Sequence, residues 1–291
     1  ICLENNTIHF KPLFPQLICN FKSNWYAKAK ITCMQSWQTP VTGRGRSGQR
    51  GDESMPEVKD KILKVDSRNE IYNFLRNQIL SLAIEPGEML SENSLSSQMS
   101  VSRALVRDAL ARLIEEGCIV VYPQRGTVVT MINPERIKQS VHTHIVLEQA
   151  VIEEICRQGL TTEQRDALEQ TLAKQKELTG DNEVLELLAA DEHLRYLLSA
   201  FCGKEHIWDY FRTMDCDLMR VNYLQYSTFN FKVYMSSLTR WEHTQVEGRL
   251  LVDNIMRRDA EAASLICSNH FNTILWNMDT LQGIYPQFFS T

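Results

Sequence analysis

The cations with the most telling spacing are Arg103, Arg107, Arg112 and Arg125, all between Ser91 and Gly126. Arginine reads a guanine edge through two parallel hydrogen bonds, and the same fork pairs with phosphate. Arg103 and Arg107 are four apart, which on a helix places them on one face. Ser102 stands directly before them, where its hydroxyl can close a helix start or help at a phosphate. Arg125 and Gly126 belong to the run Tyr122-Pro123-Gln124-Arg125-Gly126, whose composition is that of a hairpin tip. Cations at a helix start and on a hairpin tip suit contact with double-stranded DNA. The plainer alternative is a small helical core with ordinary surface arginines.

The elements that must carry these residues follow from the hydrophobic period. Ser91 caps a short helix to Gln98, and Met99 to Val101 forms a tight turn. Ser102 opens a second helix to Glu116, which stops at Gly117. Leu105, Val106, Ala109, Leu110 and Leu113 make its buried stripe. Ile119–Val121 and Thr127–Thr130 read as two strands joined by the tip. Upstream, Ile71, Leu75, Ile79 and Leu82 share one face of a helix from Arg68, and Pro86-Gly87 turns the chain. Helix, turn, helix and hairpin make a winged helix-turn-helix over residues 67–131.

The stretch from Ile71 to Val129 resembles the DNA-binding domain of the GntR family of bacterial transcription regulators. The resemblance rests on Ile79-Leu80, Pro86-Gly87, Leu90-Ser91-Glu92, Leu95, Val101-Ser102-Arg103, Val106-Arg107, Ala109-Leu110, Leu113, Glu116-Gly117 and Arg125-Gly126-Thr127. One position departs: Asn93 stands where the family often has Arg or Lys.

The totals are compatible with that resemblance. At 291 residues the chain has room for two domains, and its net charge of -5 argues against a chain that coats nucleic acid non-specifically. The eight cysteines are scattered without a CxxC pair, as free thiols of a reducing cytosol would be. No apolar run approaches the roughly 20 residues a membrane span needs, so no membrane partner and a cytoplasmic location are expected. Residues 1–54 hold no persistent period and are rich in basic residues. They read as a disordered or non-native upstream extension, with Met55 as the expected start and a basic DNA-contacting arm as the alternative.

From Asn133-Pro134 onward the sequence reads as helix after helix: Pro134–Arg157, Thr162–Thr179, Asn182–Cys202, Glu205 to about Gln225, Thr239–Arg257 and Ala260–Leu281. Gly159, Gly180 and Gly203 stand at breaks. The fold class is thus mostly α, a winged helix followed by an antiparallel all-α bundle over 134–281, with 283–291 as a tail. This half resembles, more weakly, the ligand-binding domain of the FadR subgroup. The matching residues are Leu147-Glu148, Asp191 with Leu198 and Gly203, Asp259-Ala260-Glu261-Ala262-Ala263, and His270.

Many bundles of that subgroup hold a divalent metal through one Asp and three His. Carried over by spacing, the resemblance puts those four positions at Asp191, Arg195, Gly248 and His270. Arg195 stays protonated and Gly248 has no side chain, so no metal and no other cofactor is expected. His144 stands where the subgroup usually has an Arg, and a lone His is more often structural than a ligand. Asp191 and Arg195, four apart with the acid first, suit an ion pair. Arg195 either only neutralises Asp191 or offers its fork to a carboxylate or phosphate of an effector, with Arg220 and His270 as further candidate contacts. Tyr196, Trp208, Phe211 and Tyr223 are candidate pocket walls, or plain core.

No nucleophile elbow, HExxH or phosphate-cradling glycine loop is present, so no enzyme is expected. The resemblance implies a homodimeric regulator that binds a palindromic operator under control of a small-molecule effector, an organic acid or other anionic metabolite. The competing reading is a small-molecule-binding or catalytic bundle whose winged helix serves dimerisation only.

Overall fold

A computed structural model of the chain describes residues 68–178, 183–229 and 239–290. The expectations for residues 1–54 lie outside them, as does most of the segment 227–237.

The first element, α1 (Arg68–Leu80), buries Ile71, Tyr72, Leu75 and Ile79 on one face. Then come α2 (Glu92–Met99) and α3 (Arg103–Glu115). Ser91 caps α2 by accepting from the Ser94 N–H, and α2 ends at Ser100 in a left-handed conformation (φ 55°). Ser102 caps α3 in the same way, accepting from the Leu105 N–H at 3.3 Å. At the end of α3, Gly117 has φ 68°, and an added Cβ would lie 2.9 Å from the Arg136 guanidinium, so both backbone and space favour glycine.

The wing is β2 (Ile119–Tyr122) and β3 (Gly126–Val129), antiparallel, with Ile119 opposite Val129 and Tyr122 opposite Gly126. Arg125 N–H bonds the Tyr122 carbonyl at 3.1 Å across a turn with Pro123 second and Gln124 third, at φ 65°. A third strand, β1 (Met89–Leu90), adds to the outer edge of β3 and was not expected. Two residues show no alternation.

The second half consists of α4 (Pro134–Gln158), α5 (Thr162–Glu177), α6 (Val184–Phe201), α7 (His206–Met214), α8 (Cys216–Phe229), α9 (Arg240–Met256), α10 (Ala260–Trp276) and α11 (Met278–Ile284). Local sequence sets the starts. Asn133 accepts from the Glu135 and Arg136 N–H groups, and Thr161 and Thr239 form capping boxes with Gln164 and Glu242. Two spans expected as single helices are broken. Glu205–Gln225 divides at Asp215, whose carboxylate is drawn to a histidine of α4, and Ala260–Leu281 divides at Asn277, whose amide donates to Gln225. Neither break carries a glycine or proline.

The expected tail is not loose. Pro286–Phe288 makes a 3-10 turn, Phe288 and Phe289 are buried, and Phe289 pairs with Ile132 in a parallel bridge. Ile132 N–H donates to the Phe288 carbonyl and Ser290 N–H to the Ile132 carbonyl.

Two apolar clusters organise the packing. One fills the bundle between α4, α6, α8, α9 and α10. The other joins the winged helix to the near end of the bundle, bringing Ile71, Leu75 and Leu113 together with Val184, Leu187, Met219 and Tyr223. Among the described residues no helix is long and apolar enough to cross a membrane.

Candidate functional site

The winged helix presents Ser102, Arg103, Arg107, Arg125 and Gly126 at its surface, as expected from spacing. Arg107 is aimed by Glu92: its guanidinium donates to both carboxylate oxygens, at 3.3 and 2.9 Å, which ties α2 to α3. That pairing draws the Glu92 carboxyl below its usual range. Arg112 is different. Its guanidinium lies 3.5 Å over the Tyr72 ring and donates to Asn69 Oδ1 at 2.9 Å. It braces α1 against α3, whereas Arg103 and Arg125 are exposed.

Inside the bundle the structure brings Asp191, Arg195 and His270 together and adds residues that spacing did not select. Arg195, 6% exposed, donates to Asp191 at 3.1 Å and to Glu148 at 2.6 Å. His270 meets Asp191 at 3.5 Å and Glu247 at 3.1 Å from its two nitrogens. His144 is held between Glu148 and Asp215, each 2.8 Å away, and stacks between Phe211 and Phe271. The result is one chain of alternating acidic and basic side chains, from Asp215 through His144, Glu148, Arg195, Asp191 and His270 to Glu247.

The alternation governs protonation. Burial alone pushes the His144 imidazolium toward neutrality, but its bonds to Asp215 and Glu148 outweigh this and raise its pKa to about 9. Burial opposes ionisation of Glu148 and Asp191 too, yet Arg195 holds both carboxyls below their usual range. His144 therefore supplies a cation at the position where the resemblance led one to expect Arg. Its partner Glu148 lay four residues on, in the Leu147-Glu148 match; Asp215 and Glu247 left no signal in the sequence.

Arg220 is not in this chain. It is fully buried, donates to the Thr130 carbonyl (2.6 Å) and Oγ1 (3.1 Å), and pairs with Asp217. It clamps α8 to the end of β3. Trp208 meets His144, Phe211 and Tyr196 edge to face, so Tyr196 reaches the charge chain only through Trp208, whereas Tyr223 packs in the cluster shared with the winged helix.

The residues present do not fit a divalent metal. Arg195 fills one ligand position, and both His270 nitrogens face carboxylates. A Cβ at Gly248 would face Gln175, Leu172 and Leu194; the α9 residue that reaches His270 is its neighbour Glu247. Among the described residues no three His, Cys, Asp or Glu side chains form a metal-binding group.

Two family models match in succession. Residues 67–129 match the bacterial regulatory proteins of the gntR family, and residues 139–273 match the FCD domain. The chain belongs to the GntR family. This regulator is 26% identical to the HTH-type transcriptional repressor RspR of Escherichia coli over 205 residues, 70% of this chain and 86% of that one. Its winged-helix end is 36% identical over 83 residues to the gluconate operon transcriptional repressor of Bacillus subtilis, 28% of this chain and 34% of that one. A GntR transcriptional regulator from Rhodococcus sp. RHA1 shares the fold with a TM-score of 0.57 at 20% identity, covering 72% of this chain and 97% of that one. McbR/YncC of E. coli does so with a TM-score of 0.57 at 18% identity, covering 75% and 98%. The regulator thus binds DNA through its winged helix and carries an effector-binding FCD domain, in keeping with the FadR subgroup. The reading as a catalytic bundle finds no support.

Proposed function

We propose that this GntR-family regulator acts in the cytoplasm as a homodimer on a palindromic operator and responds to an anionic effector, an organic acid or related metabolite, at Arg195. The observation that carries this reading is the charge chain itself. Arg195 is the one arginine in that chain, and its fork is shared between Asp191 and Glu148. An anion that takes the fork must displace one of them. Release of Glu148 deprives His144 of a partner, and His144 is stacked on Phe211 of α7. Arg212, the next residue of α7, donates to the Tyr72 hydroxyl of α1. Occupancy at Arg195 therefore has a short path to the winged helix.

The homodimer reading draws on the outer face of α4 and α10. Val146 and Leu265 are exposed there, beside a groove of about 470 Å³ lined by Gln149, Glu153, Ser264 and Ser268. Two recognition helices related by a two-fold axis reach successive major grooves.

A thermal-shift screen of organic acids and acyl-coenzyme A compounds tests the effector. A stabilising hit is expected that disappears in Arg195→Gln; a hit that binds Arg195→Gln unchanged removes Arg195 from the site. Light scattering should show a dimer, and a monomer at micromolar concentration with and without DNA would refute that part.

A further inference from the structure

The ion pair between Glu92 and Arg107 uses only part of the arginine. Glu92 is the first residue of α2, and Arg107 lies one turn into α3. Both helix starts are fixed by caps: Ser91 accepts from the Ser94 N–H and Ser102 from the Leu105 N–H. The turn between the helices is fixed as well, by left-handed Ser100 and by the Ser96 hydroxyl, which donates to the Val101 carbonyl at 2.6 Å. Glu92 therefore grips the guanidinium from a set direction. Nε donates to Oε1 at 3.3 Å and Nη2 to Oε2 at 2.9 Å, so one edge of the fork is occupied. A guanidinium has five N–H groups. The other edge, Nη1 with the second Nη2 hydrogen, makes no hydrogen bond among the described residues. It presents two parallel donors, the pattern that pairs with O6 and N7 of guanine.

We propose that Glu92 is a positioning residue for sequence readout: it holds Arg107 by one edge so that the other reads a guanine, and it keeps the arginine from serving as a plain phosphate cation. Charge carries the second half of this. The paired side chains have no net charge, so they release few counterions at the DNA backbone, and the Glu92 carboxylate repels phosphate. Its bonds to Arg107 draw the carboxyl below its usual range, so it stays ionised at neutral pH.

The pair matters little to the fold. Its side chains are 69% and 37% exposed, and exposed bridges of this kind add little stability. Its effect belongs to the bound state, where docking into a groove removes water from both partners. This inference concerns DNA binding alone and does not rest on the proposed effector.

The experiment selects duplexes from a random library with the full chain and with Glu92→Gln, Arg107→Lys and Arg107→Ala. Affinities are then measured by fluorescence anisotropy over a salt series, with melting temperatures to show that each variant is folded. The base pair that Arg107 reads is the one whose preference Arg107→Ala abolishes. It should be a guanine in the wild-type motif, preferred roughly 10–100-fold over other bases. Glu92→Gln should cut that preference to less than about threefold, bind motif-free DNA more tightly and steepen the salt dependence by about one phosphate contact. Arg107→Lys keeps the ion pair without the fork and should lose the guanine too. In the Arg107→Ala background, Glu92→Gln should leave the remaining base preferences unchanged. The proposal is overturned if Arg107→Ala abolishes no base preference, if the base is not guanine, or if Glu92→Gln keeps the preference. Equal weakening of motif and motif-free binding by Glu92→Gln would show a merely structural role and overturn it as well.

Discussion

His144 offers the sharpest test of the charge chain. Its pKa is about 9 in the folded chain against 6.5 for the free side chain. Because the folded value is the higher one, the protonated histidine adds stability below the unfolded pKa, and that contribution is lost as pH rises through the folded pKa. The shift corresponds to about 3 kcal/mol, nearly all of it lost between about pH 6 and pH 9.5. The groups facing the ring are Glu148 on its own helix, Asp215 between α7 and α8, and the rings of Phe211 and Phe271. Other groups titrate in this window as well, so the comparison is with His144→Gln, which has a similar reach and no charge. Urea unfolding followed by circular dichroism should find the wild type more stable at about pH 6, with the gap shrinking by roughly 3 kcal/mol by pH 9.5. A gap that stays constant across the range would refute the idea that His144 is a paired imidazolium.

The two remaining predictions concern arginines that the sequence treated alike and the structure separates. Arg103→Ala should cost about 1–3 kcal/mol of operator binding in a gel shift if the side chain pairs with guanine, whereas Arg112→Ala should leave DNA affinity nearly unchanged and lower thermal stability by about 0.5–1 kcal/mol through the lost ring contact; equal losses of affinity would put Arg112 back at the DNA. Arg220→Met strands the buried Asp217 with only the more distant Arg136, at 3.4 Å, and should destabilise the chain by about 3–5 kcal/mol in urea unfolding. No loss of stability would contradict the clamp.

Much of the winged helix was legible because its signals are local. Ser91, Ser102 and Gly117 announce helix ends through groups a few residues away, and the 3.6-residue period of Val106, Ala109, Leu110 and Leu113 shows which face is buried. The bundle helices were readable for the same reason wherever a cap or glycine marked a boundary. What escaped was set by partners distant in sequence. The break at Asp215 follows the pull of His144, and Arg220 clamps Thr130 rather than lining the effector cluster because β3 ends beside α8. Asp191 with Arg195 was visible as an i,i+4 pair, but Glu148 and Glu247 reach that cluster from other helices. The residue opposite His270 being Glu247, not Gly248, is a matter of helix rotation that spacing alone does not fix.

The bridge between Ile132 and Phe289 has a consequence for the order in which the protein is made. Ile132 lies at the hinge where the winged helix passes into α4, and its partner strand is translated long after both domains have begun to fold. A ribosome-bound chain can complete its winged helix, yet the hinge keeps an unpaired edge until residues 286–290 emerge and dock. A chain interrupted shortly before Pro286 would keep the shared apolar cluster and the Arg220–Thr130 clamp but leave both backbone hydrogen bonds of Ile132 unmade.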